Sequence, residues 1–147
     1  MSKKTRPRRS NCAMACALDI VGDRWTLLVM RDMVMGSKCY FQEFLESDEK
    51  IASNILASRL KLLEDAGMIT RAADSEHARR VIYSPTAKAL DLLPVMLELV
   101  RWGATHEPKT AVTPTFVHRI ADNREAVVSE IRSRHRIAGK RRRIPGQ

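Results

Sequence analysis

The sequence predicts an α+β, mostly helical chain in which short helices lead into one β-ribbon and further helices follow it. Three observations carry that expectation. Apolar residues recur at three- and four-residue intervals through most of the chain, which is helical spacing. Two β-favouring runs, residues 68–71 (Met-Ile-Thr-Arg) and 80–83 (Arg-Val-Ile-Tyr), flank the polar stretch 72–79 and read as a ribbon with a charged tip. Glycines stand at positions 22, 36 and 67, where helical runs have to be released.

Taken in order, residues 13–21 read as a short helix stopped near Gly22, and residues 24–35 as a mostly buried helix ended by Gly36. These two are expected to pack into a core. Phe41, Phe44 and Leu45 lie one turn apart, which predicts a short helix over residues 41–47 before the acidic break Glu46-Ser47-Asp48-Glu49. A longer helix follows over residues 53–66. Its residues Leu56, Leu60 and Leu63 repeat on one face, and Gly67 sits at the C′ position. At 100° per residue Asn54, Ala57, Ser58 and Lys61 share the opposite face, with Ser53 at the amino end. That face is small, polar and positive.

Beyond the ribbon, residues 86 to about 106 read as one long helix with a bend at Pro94, and it carries two apolar stripes. Leu90, Leu93, Leu97 and Val100 form the first; Leu92, Met96, Leu99 and Trp102 form the second. One small domain cannot bury both, so the excess predicts a second subunit. Trp102 reads as a helix–helix anchor there, with lining of an effector cavity between subunits as its other reading. Residues 108–114 break the period. Residues 115–135 form a last amphipathic helix with Val117, Ile120, Ala121, Val127, Val128 and Ile131.

Charge points to the partner. The 147 residues hold 26 Lys plus Arg against 17 Asp plus Glu, a net charge of +9. Ten of the basic residues fall in residues 1–10 and 135–147, where there is no acid, so the middle is close to neutral. A basic disordered arm over residues 1–11 and a basic disordered tail over residues 136–147 would supply sequence-blind attraction to a polyanion. The globule would supply selectivity. A short helix followed by a longer one with a small polar face suits the ~12 Å major groove of duplex DNA. Asn54 would address adenine, Ser53 and Ser58 phosphate or base edges, and Lys61 guanine or backbone. Arg79 and Arg80, at the ribbon tip, would reach the flanking minor groove or phosphates. The competing reading is a nucleoid-type protein that binds by basic density alone.

Other classes find little support. The apolar run 12–18 is cut off by Asp19, Asp23 and Arg24, and the run 25–35 is broken by Arg31 and Asp32, so neither a secretory signal nor a membrane span is expected, and the chain reads as cytoplasmic. Three cysteines without a Cys-x-x-Cys pair, and scattered His77, His106, His118 and His135, predict neither a disulfide framework nor a metal site. No nucleophile motif, P-loop or dinucleotide fingerprint is present, so neither catalysis nor a cofactor is expected. Cys12 and Cys16 read as small buried hydrophobes near a core Trp25, and Cys39 as the most exposed thiol. A redox role for Cys12 would need an exposed, acidified thiol.

Several segments together resemble a known family. They are Cys12, Leu18-Asp19-x-Val21-Gly22-Asp23-Arg24-Trp25-x-Leu27-Leu28, Asp32, Phe41-x-Glu43-Phe44, and Ile51-Ala52-Ser53-Asn54-Ile55-Leu56-Ala57-x-Arg59-Leu60. The likeness continues through Ala66-Gly67-Met68-Ile69, Arg79-Arg80-x-Ile82-Tyr83, Leu93-Pro94-Val95 and Trp102-Gly103. Over residues 12–106 the chain resembles the bacterial HxlR-type winged helix-turn-helix transcriptional regulators, relatives of the MarR group, with residues 107–135 as a helical extension. The resemblance implies a homodimer that sets one recognition helix and one wing per subunit on a palindromic operator, as repressor or activator. Carried over, Ser53, Asn54, Ser58 and Lys61 fall on the recognition helix, Arg79 and Arg80 on the wing, and Leu90, Leu93, Leu97, Val100 and Trp102 in the dimer interface. Where the family has an Arg-rich turn, this chain has Ser37-Lys38-Cys39-Tyr40, which leaves Lys38 as that turn's phosphate contact. Some relatives use the cysteine at the Cys12 position as a redox switch.

Overall fold

The computed structural model describes Pro7 and residues 9–143, and its elements follow the chain's punctuation. The remainder of the expected arm and tail, residues 1–6, 8 and 144–147, lies outside the described residues. The chain divides between Thr86 and Ala87 into two units. The first holds α1 (Ala13–Val21), α2 (Arg24–Val34), α3 (Phe41–Leu45), α4 (Ser53–Asp65), β1 (Ile69–Ala73) and β2 (Val81–Pro85). The second holds α5 (Ala87–Leu90), α6 (Leu93–His106) and α7 (Pro114–Arg143).

In the first unit, Asp23 starts α2 by accepting the Thr26 N–H at 3.1 Å, the bond an N-cap carboxylate makes. Helix α2 buries Val29, Met30, Met33 and Val34, α3 buries Phe44, and α4 buries Leu56, Leu60 and Leu63. Each such side chain contributes roughly 1.5–3 kcal/mol relative to exposure. Gly67, at φ 72°, ends α4. Its N–H donates to the Glu64 carbonyl at 3.0 Å and the Met68 N–H to the Leu63 carbonyl at 2.9 Å, the two bonds of a Schellman motif. The chain then enters an antiparallel hairpin with Ile69 opposite Pro85 and Ala73 opposite Val81. A third segment joins it, because the Tyr83 N–H donates to the Cys39 carbonyl at 2.8 Å.

Helix α1 departs from expectation. None of its residues is buried, and Met14 and Leu18, one turn apart, are 72% and 57% exposed. Ala15, Cys16, Ile20 and Val21 are half-buried, so α1 meets α2 along one side and leaves Met14 and Leu18 open on the other.

The second unit departs in two places. The expected bent helix is two helices. The Leu92 N–H closes a turn on the Ala89 carbonyl, and Pro94 falls in the first turn of α6, where a missing N–H costs nothing. Pro94 starts a helix instead of bending one. Helix α7 is interrupted at Asn123 (φ −152°, ψ 73°), whose Oδ1 accepts the Ala126 N–H at 3.1 Å and so caps a fresh helical run. That run continues to Arg143, so residues 136–143, expected to be disordered, are helical. Leu93, Met96 and Leu97 of α6 are buried, as are Ile120, Val127, Val128 and Ile131 of α7, and Asp91 pairs with Arg132 at 2.6 Å. Among the described residues no helix is long and apolar enough to cross a membrane.

Candidate nucleic-acid interface

Helix α4 turns its leucines inward, and the same geometry turns Ser53, Asn54, Ala57, Ser58 and Lys61 outward on one exposed face. Short side chains there leave the helix backbone accessible to a partner surface. Ala52 caps α4 without a side-chain hydrogen bond, so the positive end of the helix dipole is not neutralised by a side chain. Lys61 forms an exposed pair with Asp65 at 2.5 Å, and that hydrogen bond raises its pKa. An exposed i,i+4 pair of this kind is weak.

Ahead of α4 lies a polar cluster. Asp32, on α2, is only 8% exposed, and a buried carboxylate needs partners. Arg31 Nε and Nη2 donate to its Oδ1 at 2.9 and 2.7 Å. Lys38 Nζ lies 3.1 Å from its Oδ2, and the Ser47 hydroxyl donates to the same oxygen. Lys38 also donates to Ser47 Oγ at 2.7 Å. Arg31 completes the set by a two-bond grip on Glu49, at 2.6 and 2.9 Å. The Glu49 bond is the first cause that raises Arg31, and Arg31 in turn holds Glu49 down to about 2. These bonds tie the end of α2 to the turns before α3 and before α4. Lys38, assigned as that turn's phosphate contact, is half-buried with its ammonium held by Asp32 and Ser47.

The hairpin is fastened in a similar way. Glu43 accepts the Cys39 and Tyr40 N–H groups at 2.7 and 2.9 Å, which fixes the turn into α3. The Tyr40 hydroxyl donates to Asp74 Oδ2 at 2.8 Å, and Asp74 Oδ1 accepts the Glu76 N–H at 2.9 Å. Asp74 raises the Tyr40 pKa, while its own is lowered first by the Glu76 N–H. The Arg80 guanidinium stacks over the Tyr40 ring at 5.3 Å, a cation–π distance. Arg79, beside it, is exposed at the hairpin end, and Arg71 is exposed on β1.

Among the residues assigned to an interface between copies, Leu93 and Leu97 are 0% exposed, and Leu90 and Val100 are half-buried. Trp102 is open. It shares a face with Val95 and Leu99 at i, i+4 and i+7, the three being 57%, 53% and 51% exposed in the order Trp102, Val95, Leu99. With Pro94, Glu98, Arg101 and Arg124 they line an open groove of about 450 Å³. The first stripe thus serves the chain's own interior, and the outer edge of the second is the one left over.

The thiols are also placed differently from expectation. Cys12 is exposed, Cys16 is half-buried with its Sγ 3.6 Å from the Ser10 carbonyl, and Cys39 is half-buried. Cys12 therefore does not serve as packing. Among the described residues no group of three or more His, Cys, Asp or Glu is placed to hold a metal.

Sequence reasoning missed the Asp32 cluster, Tyr40–Asp74, and the place of Val95 beside Leu99 and Trp102. The first had a signal: Arg31 and Asp32 interrupt an otherwise apolar helix, and charges in that setting are paired.

The HxlR-like helix-turn-helix family profile matches residues 20–111. The chain is similar to an uncharacterized HTH-type transcriptional regulator of Mycobacterium tuberculosis, Rv3095, at 33% identity over 98 residues, 67% of this chain and 61% of that protein. The chain thus spans less than two thirds of that relative. It is also similar to the uncharacterized HTH-type regulator YybR of Bacillus subtilis, at 28% identity over 71% of this chain and 82% of that one. Among solved structures, PA1607 matches with TM-score 0.64 and 30% identity, covering 72% of this chain and 74% of that chain. The redox regulator HypR in its oxidized form matches at 0.57 and 26%, covering 64% and 96%. The reduced transcriptional regulator YodB from B. subtilis matches at 0.55 and 28%, covering 69% and 99%. Helix α7 begins beyond the residues that the family profile matches.

Proposed function

This chain belongs to the HxlR-like helix-turn-helix family of DNA-binding transcriptional regulators, and on that premise we propose that two copies of it pair and read a palindromic operator. The observation that carries the reading is the polar face of α4, where Ser53, Asn54, Ser58 and Lys61 stand exposed while Leu56, Leu60 and Leu63 hold the helix down. In each copy α4 enters a major groove, with Asn54 presenting a donor and an acceptor to one base. Arg79, on the β-ribbon held at Tyr40, supports it by contacts to the flanking phosphates or minor groove. Pairing uses the open face of α6, at Val95, Leu99 and Trp102. Two recognition helices then fall ~34 Å apart, one turn of the duplex. Binding of this kind represses or activates a nearby gene in the cytoplasm.

The test selects bound fragments from random DNA and compares them with unrelated duplex. The wild type should prefer its selected site by ~10³-fold or more. Asn54→Ala with Ser58→Ala should remove most of that preference and leave weak binding to any duplex. A wild type that grips all duplexes equally would mark a nucleoid-type protein instead.

A second reading concerns control. Cys12 is exposed, and two of the similar structures are of proteins studied in oxidized or reduced form, HypR and YodB. Oxidation at Cys12 would then alter operator affinity, and Cys12→Ser should abolish any response to a thiol oxidant.

A further inference from the structure

Helix α7 does not stop where its apolar pattern stops. Ile131 is its last buried hydrophobic residue, yet the helix runs on to Arg143. From residue 131 to the end of the sequence there is no acid, and seven residues are Lys or Arg. Arg132 bonds to Asp91 at 2.6 Å, and Arg134, Arg136, Lys140 and Arg141 are exposed. At 100° per residue these cations point to several sides, and Ile137, 52% exposed, begins no apolar stripe. Arg132 and Arg136, and again Arg136 and Lys140, are like charges one turn apart, a spacing that works against the helix. Beyond the Arg132–Asp91 pair and the Arg136 bond to Ser133 Oγ at 3.3 Å, Arg134, Lys140 and Arg141 stand exposed, and a helix so rich in one charge holds best when another molecule supplies the opposite charge. Arg134 and Arg141, seven residues apart, fall on one side about 10 Å apart along the axis, and Arg136 and Lys140 share another, so either side presents a pair of cations to successive phosphates.

We infer that the basic end of α7 is a second duplex-binding surface, which grips the phosphate backbone beside the operator and is stabilised as a helix by that grip. The inference rests on the DNA-binding reading above and adds to it a surface outside the matched family region. A lipid surface fits less well, because the segment has no apolar face to enter it. Single-stranded RNA also fits less well, because the segment lacks Phe, Tyr and Trp for base stacking.

Gly139 separates a helix from mere charge. A Cβ added there meets nothing within 4 Å, so Gly139→Ala alters helix propensity and little else. The experiment measures the full chain on its selected duplex, on unrelated duplex and on single-stranded RNA, across about 50 to 200 mM salt. The fourfold variant Arg134→Gln, Arg136→Gln, Lys140→Gln, Arg141→Gln should weaken both duplexes by a similar factor. Its salt slope should be shallower by about 0.9 for each phosphate it no longer neutralises, with the preference between the duplexes intact. Gly139→Ala should tighten both by roughly 2- to 5-fold, the most that the propensity difference allows. Gly139→Pro, which keeps every charge, should weaken both. Duplex affinity unchanged in the fourfold variant overturns the inference, as does a Gly139→Pro variant that binds like wild type. A loss seen on RNA alone overturns it in favour of an RNA partner. If the wild type binds no duplex at all, the reading beneath it falls too; if the wild type discriminates and the variants match it, only the α7 surface falls.

Discussion

Asp32 shows how one carboxylate disposes of the cations around it. It sits on α2 beside buried Met33, where an unpaired ion would cost several kcal/mol, and Arg31, Lys38 and Ser47 answer it. Asp32→Ala leaves two cations in place without their acceptor. The expected loss is about 2–3 kcal/mol, read from the urea midpoint; a loss below about 0.5 kcal/mol would mean that the cluster does not hold the turns. Glu49 makes the same network sensitive to acid. Arg31 holds it down to about 2 from an ordinary 4.5, so the folded value lies below the unfolded one. Stabilisation from this pair is therefore complete above the unfolded value and is lost as pH falls from there toward the folded value. Partial exposure of both groups limits it to about 1 kcal/mol. Glu49→Gln should be less stable than wild type by about that amount at pH 6, and the difference should shrink to less than half by about pH 3. A difference that stays constant with pH would assign the effect to packing.

At the scale of elements, caps and turns decide where helices end. Gly67 occupies φ 72°, a region an L side chain enters at a cost of about 1 kcal/mol, and a Cβ there meets nothing within 4 Å. Gly67→Ala should thus lower Tm by roughly 2–4 °C through backbone strain alone, while an unchanged Tm would mean that α4 ends without the motif. Features of this local kind were legible in the sequence. The leucine period and Gly67 mark α4 to within a residue, and the exposed face carrying Asn54 and Ser58 follows from that period. Features set by neighbours were not legible. Two apolar stripes on α6 look alike until packing buries Leu93 and Leu97 and leaves Leu99 and Trp102 outside. Lys38 reads as a free turn lysine unless the buried Asp32, six residues earlier, is known to lie against it. Pro94 is equally compatible with a bend and with a first turn, and the carbonyl bonds around Leu92 choose the second. The helical end of α7 ran against sequence reasoning, because like charges one turn apart argue for disorder.

At the scale of the whole molecule, apolar surface left exposed on a chain this small calls for a partner. Val95, Leu99 and Trp102 form a contiguous open face on α6, and covering side chains of this size stabilises an interface by roughly 1.5–3 kcal/mol each. If that face joins two copies, wild type should sediment as a dimer at low micromolar concentration. Leu99→Glu and Trp102→Glu should sediment as monomers with unchanged circular dichroism, since neither side chain is part of the chain's own core. Leu93→Glu, at a position with no exposure, should instead unfold the second unit. The functional consequence follows from linkage. A dimer holds both half-sites at once, whereas a monomer loses the high effective concentration of its second recognition helix, a factor of about 10²–10⁴. Operator affinity of the Glu variants should fall within that range, and affinity for unrelated duplex by only a few-fold, because backbone attraction acts on each copy separately. A wild type that remains monomeric at every concentration would remove the paired arrangement. Variants that remain dimeric with full operator affinity would place the interface on another face, with Met14 and Leu18 of α1 the next to substitute.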